Sequence, residues 1–470
     1  MEDWVKNWVE EKRAQGEKCI EIKQNGKGYY VYRSTTFWDK NSKKRRKKSS
    51  YIGVLDREKG LVPGKKEIDI LHHVSVSEYG NCLLLDWALQ DLVGPLEDSF
   101  GELWQTIYAL VQARTMGYTP LKNVRREWTR LYNLRNLEPD LSPIQLGRLL
   151  QFIGENRRAQ ERVFETIAGK GELVYDLSTV FTRSENISIA EKGYNKDHLY
   201  IPQVNIALFC SLDTDMPTRV RVLPGSVRDA KSLYTSLEED CPGDCTLVLD
   251  RGFSSQESVR YLSEKGLKYV LPAKRNNPLY KEKTIVDGHF FYHKRLVKTA
   301  KKNVDRFFVY VFEDQDLLLE ETKTLYVRLD KGLDRERFEE GIGKAGRILI
   351  MSNVDTVPEQ LYRMYKSRDR IEKLFDTYKT VLDADKLYLQ DTMSVHGHVF
   401  IGFLCLYAYT KLELLLKKHG LDDKYTAMDM LKEYSKVYLL QHEKGNIRTE
   451  ITKTIETLDQ KTKLNLFPKT

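Results

Sequence analysis

The hydrophobic and polar positions of this chain change their period several times, and each change predicts a different kind of element. From residue 79 to about 168, apolar residues recur at the spacing of helices that face a core. Ser142 directly before Pro143 predicts the start of one such helix, because Ser is a good N-cap and Pro suits the first helical position. We therefore expect a helical region before residue 171.

After residue 171, short apolar runs alternate with polar loops, which is typical of strands. The order predicted by residue number is strands at 172–180, 201–210 and 217–223, a helix at 229–237, a strand at 246–249, a helix at 254–266 and a strand at 268–274. The first three strands suggest a meander. The run at 246–249 is wholly apolar, so we expect it in the middle of a sheet.

The interval 275–346 is longer than a connection between two elements of one sheet needs to be. Its runs at 288–295, 306–312 and 324–329 look like strands and predict an antiparallel insertion with many lysines. The apolar run 347–353 then predicts a return to the main sheet.

Two aromatic and β-branched runs near the start of the chain, 28–38 and 50–55, predict the strands of a β-hairpin. Between them lie six consecutive basic residues, Lys43, Lys44, Arg45, Arg46, Lys47 and Lys48. Like charges repel, so we expect a flexible loop that a phosphate backbone would order. The alternatives are a merely solvated loop or a localisation tag.

Four polar residues, Tyr365, Arg368, Glu372 and Lys379, lie in a segment that predicts a single helix. At about 100° per residue they form one narrow stripe at the edge of the apolar face. A ladder of surface ion pairs is one interpretation, since Arg368 and Glu372 are four residues apart. However, Arg before Glu is the weaker order for such a pair, and a ladder gives Tyr365 and Lys379 no reason to share the stripe.

Composition adds a partner and a compartment to this picture. The 470 residues are 41% hydrophobic and carry a formal charge of +8, which allows two or three domains and favours a polyanion such as nucleic acid as partner. The start of the chain does not look like a signal peptide, and the apolar run 399–409 is too short to span a bilayer. We expect a cytoplasmic, nucleoid-associated protein without a membrane partner. The scattered cysteines do not suggest a zinc site, and His396 and His398 fit a helix start better than a metal site.

The acids on the predicted elements carry a specific resemblance. Asp176 on the first strand, Asp250 at the end of the fourth and Glu372 on the later helix resemble the catalytic triad of the DDE transposases of bacterial insertion sequences. The four-residue stripe matches the Y-x2-R-x3-E-x6-K signature of one large branch of that family at every position. Asp250 is followed by Arg, Gly and Phe253, as in the usual Asp-x-Gly-Phe/Tyr context of the second acid. The resemblance covers roughly residues 171–415.

This resemblance implies an α/β fold, namely an RNase H-like mixed sheet flanked by helices, with an antiparallel β insertion subdomain. The β-hairpin and a helical DNA-binding region would precede it. The implied enzyme is a metal-dependent polynucleotidyl transferase and endonuclease that binds the terminal inverted repeats of its mobile element and the target DNA. It would cleave and transfer DNA strands in cut-and-paste transposition, as a homodimer on DNA. Two Mg²⁺ ions, for which Mn²⁺ would substitute, would be held by Asp176, Asp250 and Glu372. The predicted DNA-binding residues are Tyr365, Arg368, Lys379, Lys274, Lys43, Lys44, Arg45, Arg46, Lys47 and Lys48.

The expected division of the chain is a β-rich region with the basic loop (1–70), a helical DNA-binding or linker region (71–170), the first part of the core (171–274), the insertion (275–346), the second part of the core with the signature helix (347–415) and a helical tail (416–470). Two other functions stay open. One is a catalytically silent or domesticated DNA-binding protein, which would be expected to lack an acid. The other is a simple RNase H-like nuclease, which would not need the Tyr, Arg and Lys of the stripe.

Overall fold

The computed structural model describes the chain except at residues 27, 40–43, 64–74, 169–170, 194–199, 228, 240–244, 283–284, 305, 443–444 and 468–470, and except for the side chains at 229–230, 232 and 238–239. The chain forms two compact units. One comprises Met1–Ser75 and Leu440–Ile447, and the other comprises Val76–Leu439 and Arg448–Thr470.

The first unit is a helix with a four-stranded antiparallel sheet of order β1-β2-β3-β4. Its elements are α1 (Asp3–Ala14), β1 (Ile20–Asn25), β2 (Gly28–Asp39), β3 (Lys44–Asp56) and β4 (Gly60–Pro63). The small core is formed by Val5, Ile20, Tyr29, Val31 and Leu55. Trp4 of α1 lies edge-on to Tyr29 of β2, at 5.6 Å between ring centroids, so the helix packs on the sheet.

The basic residues 44–48 form the start of β3, and the prediction of a flexible loop is wrong for them. They pair with residues 35–39 of β2, with Lys44 opposite Asp39. Lys43 lies outside the described residues. Successive side chains of a strand point to opposite faces, which separates the like charges. Carboxylates on β2 and β1 of the same sheet offset the rest of the repulsion, since Arg46 lies 3.0 Å from Asp39 and Lys47 lies 2.6 Å from Glu21.

The second unit begins with a helical region, as the apolar spacing predicts. Its elements are β5 (Ser75–Glu78), α2 (Gly80–Phe100), α3 (Leu103–Thr115), α4 (Leu121–Arg130), α5 (Pro143–Glu155) and α6 (Arg157–Ile167). Helix α5 begins at Pro143 with Ser142 at the N-cap position, as expected.

A ten-stranded mixed sheet runs through the second unit, with the path β12-β13-β14-β15-β11-β10-β6-β8-β7 and β9 paired to β8. Its strands are β6 (Gly171–Phe181), β7 (Glu191–Lys192), β8 (Pro202–Ser211), β9 (Pro217–Pro224), β10 (Cys245–Leu249), β11 (Lys268–Pro272), β12 (Gly288–Tyr292), β13 (Arg295–Val304), β14 (Phe307–Asp314) and β15 (Arg347–Ser352). Strands β6, β8 and β9 form the expected meander. The apolar strand β10 lies between β6 and β11 and is parallel to both.

Helices cover both faces of this sheet, which confirms a mixed α/β fold. The helices that follow in the chain are α7 (Asp229–Glu239), α8 (Gln256–Glu264), α9 (Gln315–Asp330), α10 (Arg335–Ile342), α11 (Pro358–Lys366), α12 (Asp369–Asp376), α13 (Thr392–Lys418), α14 (Ala427–Tyr434) and α15 (Lys453–Thr462). A further small sheet has the order β17-β16-β5, with β16 at Tyr438–His442 and β17 at Gly445–Arg448.

The interval 275–346 differs from its prediction in two elements, since β13 was not among the predicted strands and residues 324–329 do not form a strand. Strands β12, β13 and β14 are antiparallel, and β14 pairs with β15, so they extend the main sheet. Residues 324–329 belong to α9, so the strand predicted there is wrong. Asp314 caps this helix by accepting hydrogen bonds from the N–H groups of Asp316 and Leu317. Tyr326 then packs on Phe338 of α10, at 5.0 Å between ring centroids, which gives its side chain a helical partner.

Helix α13 is the central helix of the larger core. It contains the apolar run 399–409 and extends to 27 residues, long and apolar enough to cross a membrane. However, 78% of its most apolar window is buried inside the protein. It packs on α3, α5 and β9, so its apolar surface is used within the fold.

Helices α5 and α13 approach each other so closely that two glycines are required. A Cβ atom at Gly397 would lie 1.9 Å from the carbonyl oxygen of Leu150, and one at Gly154 would lie 1.9 Å from that of Met393. Each close contact is with backbone, which cannot rotate away as a side chain does.

Replacing Gly397 by Ala should therefore force the two helices apart and lower the free energy of unfolding by about 2 kcal/mol or more. The matched control is Gly147→Ala in α5, where a Cβ would meet nothing within 4 Å. That change should be neutral or stabilising by up to about 1 kcal/mol, because Ala favours helix over Gly. Denaturant unfolding of both variants measures the difference, and equal stabilities would contradict the close packing.

Candidate active site

Two of the predicted acids are placed side by side by the pairing of β6 with β10. The strands are parallel, and Tyr175 lies opposite Leu249. Asp176 and Asp250 each follow by one residue, so they stand at the same level of the sheet. This register brings both acids to the same level, with Asp176 inside β6 and Asp250 at the turn that follows β10.

The alternation of side chains along the two strands also places these acids on one face. Val174 and Val248 belong to the buried cluster that includes Ile371 of α12. Their sequence neighbours on either side belong to the cluster on the other face. Because side chains two residues apart share a face, Asp176 and Asp250 are directed to the side of the sheet that α12 covers.

The turn after Asp250 is anchored by an aromatic residue. Residues 251–253 form one turn of 3₁₀ helix, and the N–H of Phe253 donates to the carbonyl oxygen of Asp250 at 3.1 Å. The Phe253 side chain is 1% exposed and packs edge-on against Tyr175, at 5.3 Å between ring centroids. The residue before Asp176 thus holds the turn that follows Asp250.

The segment 365–379, which carries Tyr365, Arg368, Glu372 and Lys379, is not the single helix that its periodicity predicts. It consists of α11, α12 and a π-helical turn at Thr377–Val381. At the first break, the N–H of Arg368 donates to the carbonyl oxygen of Tyr365, and that of Ile371 to the carbonyl oxygen of Arg368, so the bonds span three residues instead of four. The Ser367 hydroxyl also donates to the Arg363 carbonyl at 2.9 Å, which competes with regular helix bonding.

Arg368, at this break, is the residue on which the acids converge. Its guanidinium donates a hydrogen bond to Asp250 and, through Nη2, another to Glu372 Oε1 at 3.1 Å. Its side chain is only 17% exposed. Burial alone would lower the pKa of Arg368, but the charges of Asp250, Tyr365, Glu372 and Asp176 outweigh burial and raise it. The structure thus brings two of the predicted acids, Asp250 and Glu372, onto one guanidinium, and the charge of Asp176 also acts on it.

Tyr365 and Lys379 lie on either side of this group. Tyr365 is buried below Arg368, whose guanidinium lies 5.9 Å from the centre of its ring, and burial raises the pKa of its hydroxyl. Lys379 belongs to the π-helical turn and donates to the carbonyl oxygen of Thr179 at 2.6 Å. Thr179 is on β6, three residues after Asp176. Lys379 therefore places a second positive charge along that strand, in addition to Arg368.

The remaining predicted residues lie elsewhere. Lys274 is exposed just after β11 and lines a cleft of about 1030 Å³ together with Arg260 and Arg306. Lys44, Arg45, Arg46, Lys47 and Lys48 are exposed on β3 of the other unit.

Three basic residues near these positions were missed by sequence reasoning. Arg260 and Arg306 come from separate segments, so the sequence contains no pattern that joins them to Lys274. Arg251 was missed because it occupies the position between Asp250 and Gly252 that the family pattern leaves variable. Its charge nevertheless acts on Tyr365, and the residue before it is Asp250.

The donor set fits a hard cation, because carboxylate oxygens are the ligands that Mg²⁺ and Mn²⁺ prefer. As the side chains lie, no three His, Cys, Asp or Glu within the described parts of the chain are grouped closely enough to hold a metal ion. The guanidinium of Arg368 is bonded to two of the carboxylates instead. His398 is not a ligand: its Nδ1 lies 3.2 Å from Arg114 Nη1 and its Nε2 lies 3.0 Å from the Ala384 carbonyl. Burial lowers the pKa of His398 to about 3.

Comparison with known proteins gives a family. A family model described as "Transposase DDE domain" matches residues 169–408. Among solved structures, a similar one is the cryo-EM structure of a piggyBac transposase synaptic complex with hairpin DNA. It is 12% identical to this chain, covers 75% of this chain and 78% of its own, and has a TM-score of 0.38. No curated protein matches the chain in sequence.

Proposed function

This chain belongs to the transposase DDE domain family, and on that basis we propose that it cuts and rejoins the DNA ends of its own mobile element. The observation that carries the proposal is that Arg368 bonds to both Asp250 and Glu372, while Asp176 stands level with Asp250 on the adjacent strand and its charge also acts on Arg368. These acids come from two adjacent strands and a later helix. They share one partly open face of the sheet, where a DNA backbone has access.

The strand order supports an RNase H-like core. Apart from the two-residue strand β7, which pairs with β8, the order in space is β9-β8-β6-β10-β11, and in sequence the elements run β6, β8, β9, α7, β10, α8, β11. The first strand carries one acid and the fourth ends at the second. The third acid follows on a helix that packs against β6 and β8. This is the arrangement that the resemblance implies.

The proposed ligands of the metal ions are Asp176, Asp250 and Glu372. Two Mg²⁺ ions, or Mn²⁺ in their place, would activate the attacking oxygen and stabilise the leaving oxygen of a phosphodiester. The chain's own contribution is positioning. Asp176 lies within the β6 ladder, and Asp250 directly follows β10 and is held by the turn that Phe253 anchors. Glu372 is 53% exposed on α12 and is the acid most free to adjust.

Two other functions remain as outcomes of the tests below. A catalytically silent DNA-binding protein would have no use for three converging carboxylates. A simple nuclease would need the acids but would not depend on Arg368 and Lys379 for joining strands.

The substitutions Asp176→Asn, Asp250→Asn and Glu372→Gln should each abolish Mg²⁺-dependent cleavage of an element end, because each removes a charged ligand. Binding of the same end should be largely kept. The substrate is DNA that flanks the gene and carries its inverted repeats. The control is Asp369→Asn, an exposed acid on the same helix. Cleavage retained in any one of the three variants would falsify the triad as assigned.

Arg368→Ala and Lys379→Ala should impair strand transfer and weaken the complex with an element end more than they lower the melting temperature. The physical reason is that Arg grips a phosphate with two donors and Lys with a point charge. Arg370→Ala is the control, since Arg370 pairs with Asp215 and with the Leu212 carbonyl. It should affect folding but not joining per folded molecule.

The opposite pattern decides against the transposase. If both variants lost several kcal/mol of stability while the folded fraction joined strands normally, the stripe would be a structural ladder and a nuclease would be favoured. The mass of the wild-type complex on DNA tests the proposed homodimer in the same preparations.

The exposed basic residues of β3 are proposed to contact phosphates. Replacing Lys44, Arg45, Arg46, Lys47 and Lys48 by Thr, which suits a strand, should weaken binding to all DNA sequences alike. It should also reduce the slope of log affinity against log salt, by up to about 0.9 for each lost phosphate contact. The control removes equal charge from α9, α10 and the turn between them by changing Lys323, Arg328, Lys331, Arg335 and Arg337 to Thr. An unchanged slope in the β3 variant would contradict the proposed phosphate contacts and would mean that these residues only pair with carboxylates of their own sheet.

A further inference from the structure

The position between the acids is occupied by a side chain that brings a positive charge. Arg368 bonds to Asp250 and Glu372 at once, and the charge of Asp176 acts on it as well. Without Arg368 these three carboxylates would repel one another across the face of the sheet. The guanidinium therefore provides in the free protein the counter-charge that cations provide in the working site.

We propose that Arg368 is a place-holding cation, which occupies the metal position until DNA binds and then transfers its guanidinium to a phosphate. This inference rests on the proposed function and adds an order of events to it. Metal ions and Arg368 compete for the same oxygens of Asp250 and Glu372, so a chain without DNA binds metal weakly. DNA removes the competitor and opens the site to metal.

The surroundings of Arg368 suit such an exchange. The residue lies at the break between α11 and α12, where the backbone bonding has already changed. Its carboxylate partners are partly open to solvent, at 37% for Asp250 and 53% for Glu372, so a phosphate can approach from that side. Phosphate and carboxylate both accept two parallel hydrogen bonds from a guanidinium, so one can replace the other with little loss of geometry.

A purely structural ion pair is the competing explanation. Arg368 is mostly buried while both carboxylates are partly open, so its ion pairs stand between the exposed kind, which contribute little to stability, and the buried kind. Arg370, on the same helix, shows the structural alternative. It pairs with Asp215 and with the Leu212 carbonyl, away from the three acids.

Binding of Mn²⁺ measured by electron paramagnetic resonance tests the proposal without any catalytic readout. In the absence of DNA, Arg368→Ala should bind Mn²⁺ more tightly than the wild type, by roughly fivefold or more. Fivefold is about the smallest change in affinity that is typical of two coupled sites. Arg370→Ala should bind like the wild type. Adding Asp250→Asn to Arg368→Ala should abolish the gain. A DNA duplex that contains the element end should tighten Mn²⁺ binding to the wild type by a similar factor. This measurement uses only the wild-type protein, so it does not depend on whether a variant folds.

The outcomes separate the two proposals. If Arg368→Ala binds Mn²⁺ no more tightly, while the wild type with DNA binds it through Asp250, the place-holding role is wrong and the catalytic proposal stands. If no preparation binds Mn²⁺ in a way that depends on Asp250, the metal-dependent function itself is overturned. Equal tightening in Arg370→Ala would show a general charge effect and contradict a specific role for Arg368.

Discussion

The in-register parallel pairing of β6 with β10 is the constraint on which the site depends. It sets Asp176 and Asp250 at one level, and the alternation of the strands then directs both to the face that α12 covers. With these two acids in place, a helix that packs on the same face is enough to bring Glu372 near them. Arg368 then bonds to both Asp250 and Glu372. Tyr175 and Phe253 pack against each other below the pair, so the same contact stabilises both strand ends.

Much of this arrangement could be predicted from the sequence because its signals are local and strong. The wholly apolar strand β10, the meander and the helix that starts at Pro143 follow from periodicity and capping, which act over a few residues. The three acids could be named because their places on these elements, together with the spacing around Glu372, resemble those of a known family; the position of each Asp alone would not have been enough. Their convergence on Arg368 could not be predicted, since it depends on a break in the helix that the apolar period does not reveal.

The wrong predictions have tertiary causes. The basic residues 44–48 form a strand because the facing strands supply carboxylates and space, which charge counting along the chain cannot show. Residues 324–329 have strand-like composition, but the cap at Asp314 and the contact of Tyr326 with Phe338 favour a helix. In both cases contacts with other elements, and for α9 also its cap, override the preference of the short segment itself.

The position of β11 in the sheet has a consequence for how the chain folds. One edge of β11 pairs with β10, which is close in sequence. The other edge pairs with β15, which is synthesised only after the segment 273–346. During that interval a short, buried, apolar strand presents unpaired N–H and C=O groups, the kind of edge that recruits other chains. Pairing between strands so far apart in sequence is also slow. Yield of folded protein should therefore depend on how quickly β14 and β15 close that edge, a step remote from the acids.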